Sequence, residues 1–193
     1  MSLLESAIKK SEAPIIPSLD EHHYYFFTSE FDASSTADAI KFIIQRNLME
    51  RKNAPQQIKM LINSPGGELP SCFALVDTMK GSNIPIWTFG LGQIASCGLI
   101  TFIAGEKGKR FITRNTSILS HQYTWGAYGK EHELFAKVQE FNHSSDRLVE
   151  HYKKCTGLSE KKIREVLLPP QDVWLSAKDA VKYGIADQIV DFY

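Results

Sequence analysis

Three stretches of this chain carry residue types and spacings suited to acyl-transfer chemistry. Gly92-Gln93-Ile94-Ala95-Ser96-Cys97-Gly98 follows a β-rich apolar run over 84–91 and leads into a small and apolar segment over 98–104. This predicts a strand, a tight turn and a buried helix with Ser96 in its first turn, where free backbone N–H groups face the same place as the hydroxyl. That geometry suits a nucleophile whose reaction builds an oxyanion. Serine is also a favoured N-cap, so the stretch alone leaves both roles open. Asn63-Ser64-Pro65-Gly66-Gly67 closes the preceding strand, and two glycines after a proline let the backbone turn tightly and direct an N–H outward. Neighbouring strand ends of an α/β sheet form the crevice where ligands bind, so the Gly67 and Cys97 N–H groups can share one oxyanion site. His121 ends the run over 117–120 at the same rim. It is either a general base or a structural histidine satisfied by its Tyr, Ser and Thr neighbours.

The elements that must position these residues are legible as strand–helix repeats. Tyr24-Tyr25-Phe26-Phe27-Thr28 reads as a short aromatic strand. Ser34 and Ser35 precede a periodic helix with Ala37, Ile40, Ile44 and Leu48 on one face, ended by Asn53-Ala54-Pro55. Strands over 58–63 and 85–91 flank a helix over about 71–80. Further strands are expected at 109–112, 117–120 and 185–190. A Gly/aromatic segment over 123–129 precedes a long helix marked by Leu134, Val138, Phe141, Leu148 and Tyr152 and reaching about Lys154. A helical piece follows over 158–168, then a capping box from Ser176 to Asp179 and a stop at Gly184. Repeated strand–helix units imply parallel crossovers and an α/β core.

The bulk numbers narrow the function classes. At 193 residues the chain is long enough for one domain with a sizeable core. Its 22 basic and 22 acidic residues cancel, which argues against nucleic acid or a membrane surface as partner. No apolar run approaches the roughly 20 residues that span a bilayer. Positions 1–10 lack an apolar signal core, and positions 1–20 read as an arm with Pro14 and Pro17, so a cytoplasmic protein is expected. Cys72, Cys97 and Cys155 form no metal-ligand pattern and read as reduced thiols.

Taken in order, Ile62 to Gly67, Gly92 to Gly98, Ala104-Gly105-Glu106-Lys107-Gly108-Lys109-Arg110-Phe111 and His121-Gln122 resemble the signature of the ClpP family, the proteolytic subunits of the caseinolytic Clp protease. Leu175-Ser176-Ala177 through Ala180, with Tyr183-Gly184 and Asp187, resemble the family's C-terminal block. The resemblance runs from about Tyr24 to Val190.

It implies a ClpP/crotonase-like fold of repeated β-β-α units with a protruding handle helix at about 123–155. It also implies an axial segment over 1–20 and a single peptidase domain over 21–193. Residue by residue, it puts Ser96 on the nucleophile, His121 on the general base, Asp172 on the third triad member, and Gly67 and Cys97 on the oxyanion donors. Only the resemblance selects Asp172 among the carboxylates. It further implies an extended substrate lying between Glu68-Leu69 and the segment of Tyr123 and Trp125. The protein would then be an ATP-dependent Clp protease proteolytic subunit, a serine endopeptidase acting on unfolded polypeptides inside an oligomeric chamber. Partners would be copies of itself in heptameric rings stacked as a tetradecamer, and an AAA+ ATPase unfoldase. No metal or cofactor is expected, ATP being used by the partner alone.

The chain departs from the family pattern at several points. Tyr123 replaces the proline after His-Gln, and Pro70 removes a backbone donor beside the substrate. Pro170-Gln171 replaces the Glu-Arg pair that resembles a ring-contact sensor. Lys59 and Thr113 stand where an apolar pocket for the ATPase has Tyr and an aliphatic residue. Two alternatives follow: a catalytically silent ring subunit, and a crotonase-like acyl-CoA hydratase or isomerase, which would use the paired N–H groups without Ser96 and His121.

Overall fold

The computed structural model describes residues 18–191, so the expected arm over 1–20 lies outside them apart from its last three positions. The chain opens with β1 (Tyr24–Phe27), α1 (Ala33–Asn47), β2 (Ile58–Ser64), α2 (Leu69–Gly81), β3 (Ile86–Ala95) and α3 (Cys97–Ile103). It continues with β4 (Arg110–Ile112), β5 (Ser117–Ser120), α4 (Glu131–Thr156), α5 (Glu160–Val166), β6 (Val173–Leu175), α6 (Ala177–Lys182) and β7 (Gln188–Ile189).

The strands form one mixed, mostly parallel sheet in the order β1-β2-β3-β4-β7, with β5 and β6 leaving from β3. The ten-residue β3 makes this branch possible. Thr88–Gly90 pairs with β4, and Gln93–Ala95 pairs with β5. Ile58, Met60, Leu61 and Ile62 of β2 are all buried, as strands covered on both faces must be. Each such side chain contributes roughly 1.5–3 kcal/mol of burial. The α/β architecture expected from the strand–helix alternation is the one observed.

Several elements differ from their sequence expectation for identifiable reasons. The first helix starts at Ala33, ahead of the serines, because Asp32 caps it: its carboxylate accepts from Ser34 and Ser35 N–H while Ser35 Oγ accepts from Asp32 N–H. Its inward stripe is Thr36, Ala39, Phe42, Ile43 and Arg46, which leaves Ile44 and Leu48 exposed. The second helix begins earlier, at Leu69, because Pro70 fits a first turn whose N–H groups have no intrahelical partner. The last strand is shorter than expected, because Ile185 and Ala186 N–H both bond back to Ala180 O at the end of α6. The expected capping box of Ser176 and Asp179 is present.

The buried residues of the long helix all lie in its second half. Ser144, Leu148, Val149 and Tyr152 are buried, whereas Phe135 and Val138 of the first half stand exposed. It ends at Thr156, where Gly157 takes the left-handed conformation that closes helices.

Candidate active site

Parallel pairing brings the ends of three strands to one rim. Ser64 at the end of β2 stands opposite Ile94, and Ala95 at the end of β3 stands opposite Leu119 of β5. The residues that follow these strands are therefore Pro65-Gly66-Gly67, Ser96-Cys97 and His121. Gly67, Ser96, Cys97 and His121 line one cavity of about 100 Å³ together with Leu69, Ile100, Tyr123, Leu148 and Tyr152. The sequence predicted this convergence for Ser96, Gly67, Cys97 and His121, and it is observed.

Ser96 sits at φ +52 and ψ −118, a region that L residues rarely occupy. Its N–H bonds to Leu119 O at 3.0 Å, and its hydroxyl makes no capping bond to α3. The cap role open to it in the sequence is thus not the one it plays. Strain at a single non-glycine residue persists only where surrounding structure enforces it. Gly66 leaves room for it: a Cβ there would lie 2.6 Å from the Ser96 Cβ.

The Gly66-Gly67 turn is braced by Phe31, a residue no motif in the sequence singled out. Phe31 N–H donates to Gly66 O at 2.8 Å, and Glu68 N–H donates to Phe31 O at 2.7 Å, forming an isolated parallel bridge with Gly67. In this parallel bridge Gly66 and Glu68 carry the bonds, so the N–H and C=O of Gly67 itself face away from Phe31. Its carbonyl there accepts from Cys97 Sγ at 3.2 Å.

Tyr152 and Gln122 hold the end of β5. Ser120 Oγ donates to Leu167 O at 2.6 Å and contacts the Tyr152 hydroxyl at 3.1 Å, while Gln122 Nε2 donates to Leu168 O at 2.9 Å. Burial raises the Tyr152 phenol far above its ordinary pKa and keeps it protonated.

Asp172 is set beside His121 by an element that the sequence did not reveal. Strand β6 runs antiparallel to β5 with Ser120 opposite Val173, so His121 and Asp172 are the next residues outward on the two strands. Asp172 is exposed, and among the described residues no hydrogen bond or ion pair joins it to His121, nor His121 to Ser96. Of the expected substrate residues, Leu69 and Tyr123 line the cavity. Glu68 is the N-cap position of α2 and accepts from Ser71 Oγ. Trp125 stacks on Phe141 of α4 with ring centres 4.9 Å apart, outside the cavity. Residues 121–128 form neither helix nor strand.

The remaining ionisable groups near the rim do not gather into a metal-binding cluster among the described residues. No helix among them is long and apolar enough to cross a membrane.

A family model described as Clp protease matches residues 9–192. The chain is 35% identical over 153 residues to the ATP-dependent Clp protease proteolytic subunit of Deinococcus radiodurans, covering 79% of this chain and 74% of that one. It is 33% identical over 187 residues to the ATP-dependent Clp protease proteolytic subunit 4, chloroplastic, of Arabidopsis thaliana, covering 97% of this chain and 62% of that one. The chain therefore belongs to the Clp protease family, and it is a peptidase of the proteolytic-subunit kind.

Proposed function

We propose that this chain is a serine endopeptidase subunit with Ser96 as nucleophile, His121 as general base and Asp172 as the residue that orients the imidazole. One observation carries the reading: Ser96, His121 and the turn bearing Gly67 open onto the same cavity, with Ser96 held in a strained conformation whose hydroxyl caps nothing. Ser96 Oγ attacks the scissile carbonyl carbon while His121 takes its proton. The carbonyl π pair moves to oxygen, and the N–H groups of Gly67 and Cys97 stabilise the resulting oxyanion. Collapse expels the amine, which takes the proton from His121. Water then repeats the sequence on the acyl-enzyme, and Asp172 stabilises the imidazolium in both halves. The proton and electron balance closes with these side chains and water, so the reading needs no metal or cofactor.

The substrate would bind as an extended chain past Glu68 and Leu69 on one side and Tyr123 and Trp125 on the other, main-chain pairing giving affinity with little sequence preference. The exposed first half of α4 would act as the handle. Partners in this reading are further copies in heptameric rings stacked as a tetradecamer, an AAA+ ATPase unfoldase, and unfolded polypeptides. We place this function in the cytoplasm; the chloroplast is the alternative raised by one relative's name.

The test is hydrolysis of a short fluorogenic peptide by the wild type and by Ser96→Ala at equal assembly state. Activity lost in the variant supports the reading, and activity retained overturns it. The silent ring subunit is the second reading, with Pro170-Gln171 as the observation on its side. Intact assembly without labelling of Ser96 by a serine-reactive phosphonate would decide for it.

A further inference from the structure

We propose that the Cys97 thiol is a positioning residue, fixing the spacing of the two oxyanion donors by bonding the residue that carries one to the residue that carries the other. The inference rests on the peptidase reading of Ser96.

Cys97 Sγ donates to Gly67 O at 3.2 Å. The sulfur belongs to the residue whose backbone N–H is one donor, and the carbonyl belongs to the residue whose N–H is the other. Gly67 sits at φ +145, a conformation that favours glycine, with the Phe31 backbone packed close on its far face, so bonds as well as packing hold it. Phe31 supplies those bonds on the far face, through Gly66 O and Glu68 N–H. On the cavity face the recorded bond to Gly67 is the one from Cys97. The tie is itself anchored: Cys97 is buried, and its carbonyl accepts from the buried Cys72 Sγ at 3.5 Å on α2. A side chain without a donor would leave the Gly67 carbonyl without this bond and let the turn drift from α3. Oxyanion donors act only within a few tenths of an ångström of their target distance, so such drift costs rate rather than substrate affinity.

The test compares Cys97→Ala, Cys97→Val and Cys97→Ser with the wild type and with Ser96→Ala, all as assembled protein. For Cys97→Ala we expect kcat to fall on the order of tenfold, less than the hundredfold or more of losing a donor outright. KM should stay within about twofold, and affinity for a peptide aldehyde, whose adduct carries the oxyanion, should fall by the same factor as kcat. Cys97→Val fills the volume without a donor and must behave like alanine; it decides the matter if the alanine variant fails to assemble. Cys97→Ser keeps a donor and must recover most of both losses. Wild-type kcat in Cys97→Val beside an inactive Ser96→Ala overturns the proposal alone. So does a serine variant as impaired as the alanine one. Full activity in Ser96→Ala overturns the peptidase reading beneath it.

Discussion

Ser120 and Val173 face each other as the outermost pair of the antiparallel β5–β6 ladder, which sets His121 and Asp172 one step further out on adjoining strands. The backbone thus brings the two residues to neighbouring strand ends, while their side chains are not bonded to each other. Asp172→Asn should lower kcat by roughly 10²- to 10⁴-fold, the upper figure being that of a buried triad aspartate. An exposed carboxylate is screened by water, which favours the lower end. KM should change little. Steady-state peptide hydrolysis at equal assembly state checks this, and a variant at the wild-type rate would remove Asp172 from the mechanism.

Gly66 is the floor beneath the Ser96 elbow. A Cβ there meets Ser96 Cβ at 2.6 Å, and the backbone stands at φ +106, so Gly66→Ala is strained twice over. Relief requires Ser96 or the turn to move, at a cost of order 1–3 kcal/mol for each sparsely populated conformation. We expect phosphonate labelling of Ser96 to slow by more than about tenfold, the rate equivalent of 1.4 kcal/mol. Gly81→Ala, at the end of α2 with open space around it, is the control and should label normally. Equal labelling rates in the two variants would refute the packing argument.

Most of the rim was legible because its signals are local. Apolar runs that stop at Pro-Gly-Gly or at a serine before small residues fix where strands end, and parallel pairing then brings those ends together. The unread parts depend on tertiary contacts. Three residues are too few for a periodic signal, so β6 was invisible after Pro169 and Pro170 even though Asp172 lies directly before it. Phe31 looks like any core aromatic, but its contribution is two backbone bonds to the Gly66-Gly67 turn. The stripe of α1 was misread toward Ile44 and Leu48 because Arg46 is among the buried residues; its stem is covered while its charge meets Asp20.

Buried Arg110 on β4 and half-buried Asp187 before β7 form a pair that ties the C-terminal block to the sheet. The Asp187 carboxylate accepts from Arg110 Nε and N–H, both at 2.9 Å, from Nη2 at 2.6 Å and from Gly108 N–H at 2.8 Å, while Arg110 Nη1 reaches Cys155 O. Burial pushes the Asp187 carboxyl up, but the Arg110 side chain and the backbone donors together hold it below its ordinary range. Asp187→Ala leaves an almost fully buried guanidinium without its counter-charge, which should destabilise by about 3–5 kcal/mol. Thermal unfolding reads this directly. A shift no larger than that of an exposed pair such as Lys41→Ala would contradict it.

Acid should loosen the wall of the site through His151. This imidazole on α4 lies 2.8 Å from Ile100 O, and Ile100 lines the cavity. Burial lowers its pKa from 6.5 to about 4, with the Ile100 carbonyl opposing; Lys80 and Lys154 lower it further, and Asp77 raises it. The native state therefore holds the ring neutral where the unfolded chain would protonate it. Between pH 6.5 and about 4 the unfolded state binds more protons, so stability rises with pH there and is fully present above 6.5. The loss on acidification approaches about 3 kcal/mol from this one group. Melting temperatures at pH 7.5 and 5.0 should differ more for the wild type than for His151→Gln, which carries no titrating ring. A glutamine variant with an equal pH-dependent drop would assign the acid sensitivity elsewhere.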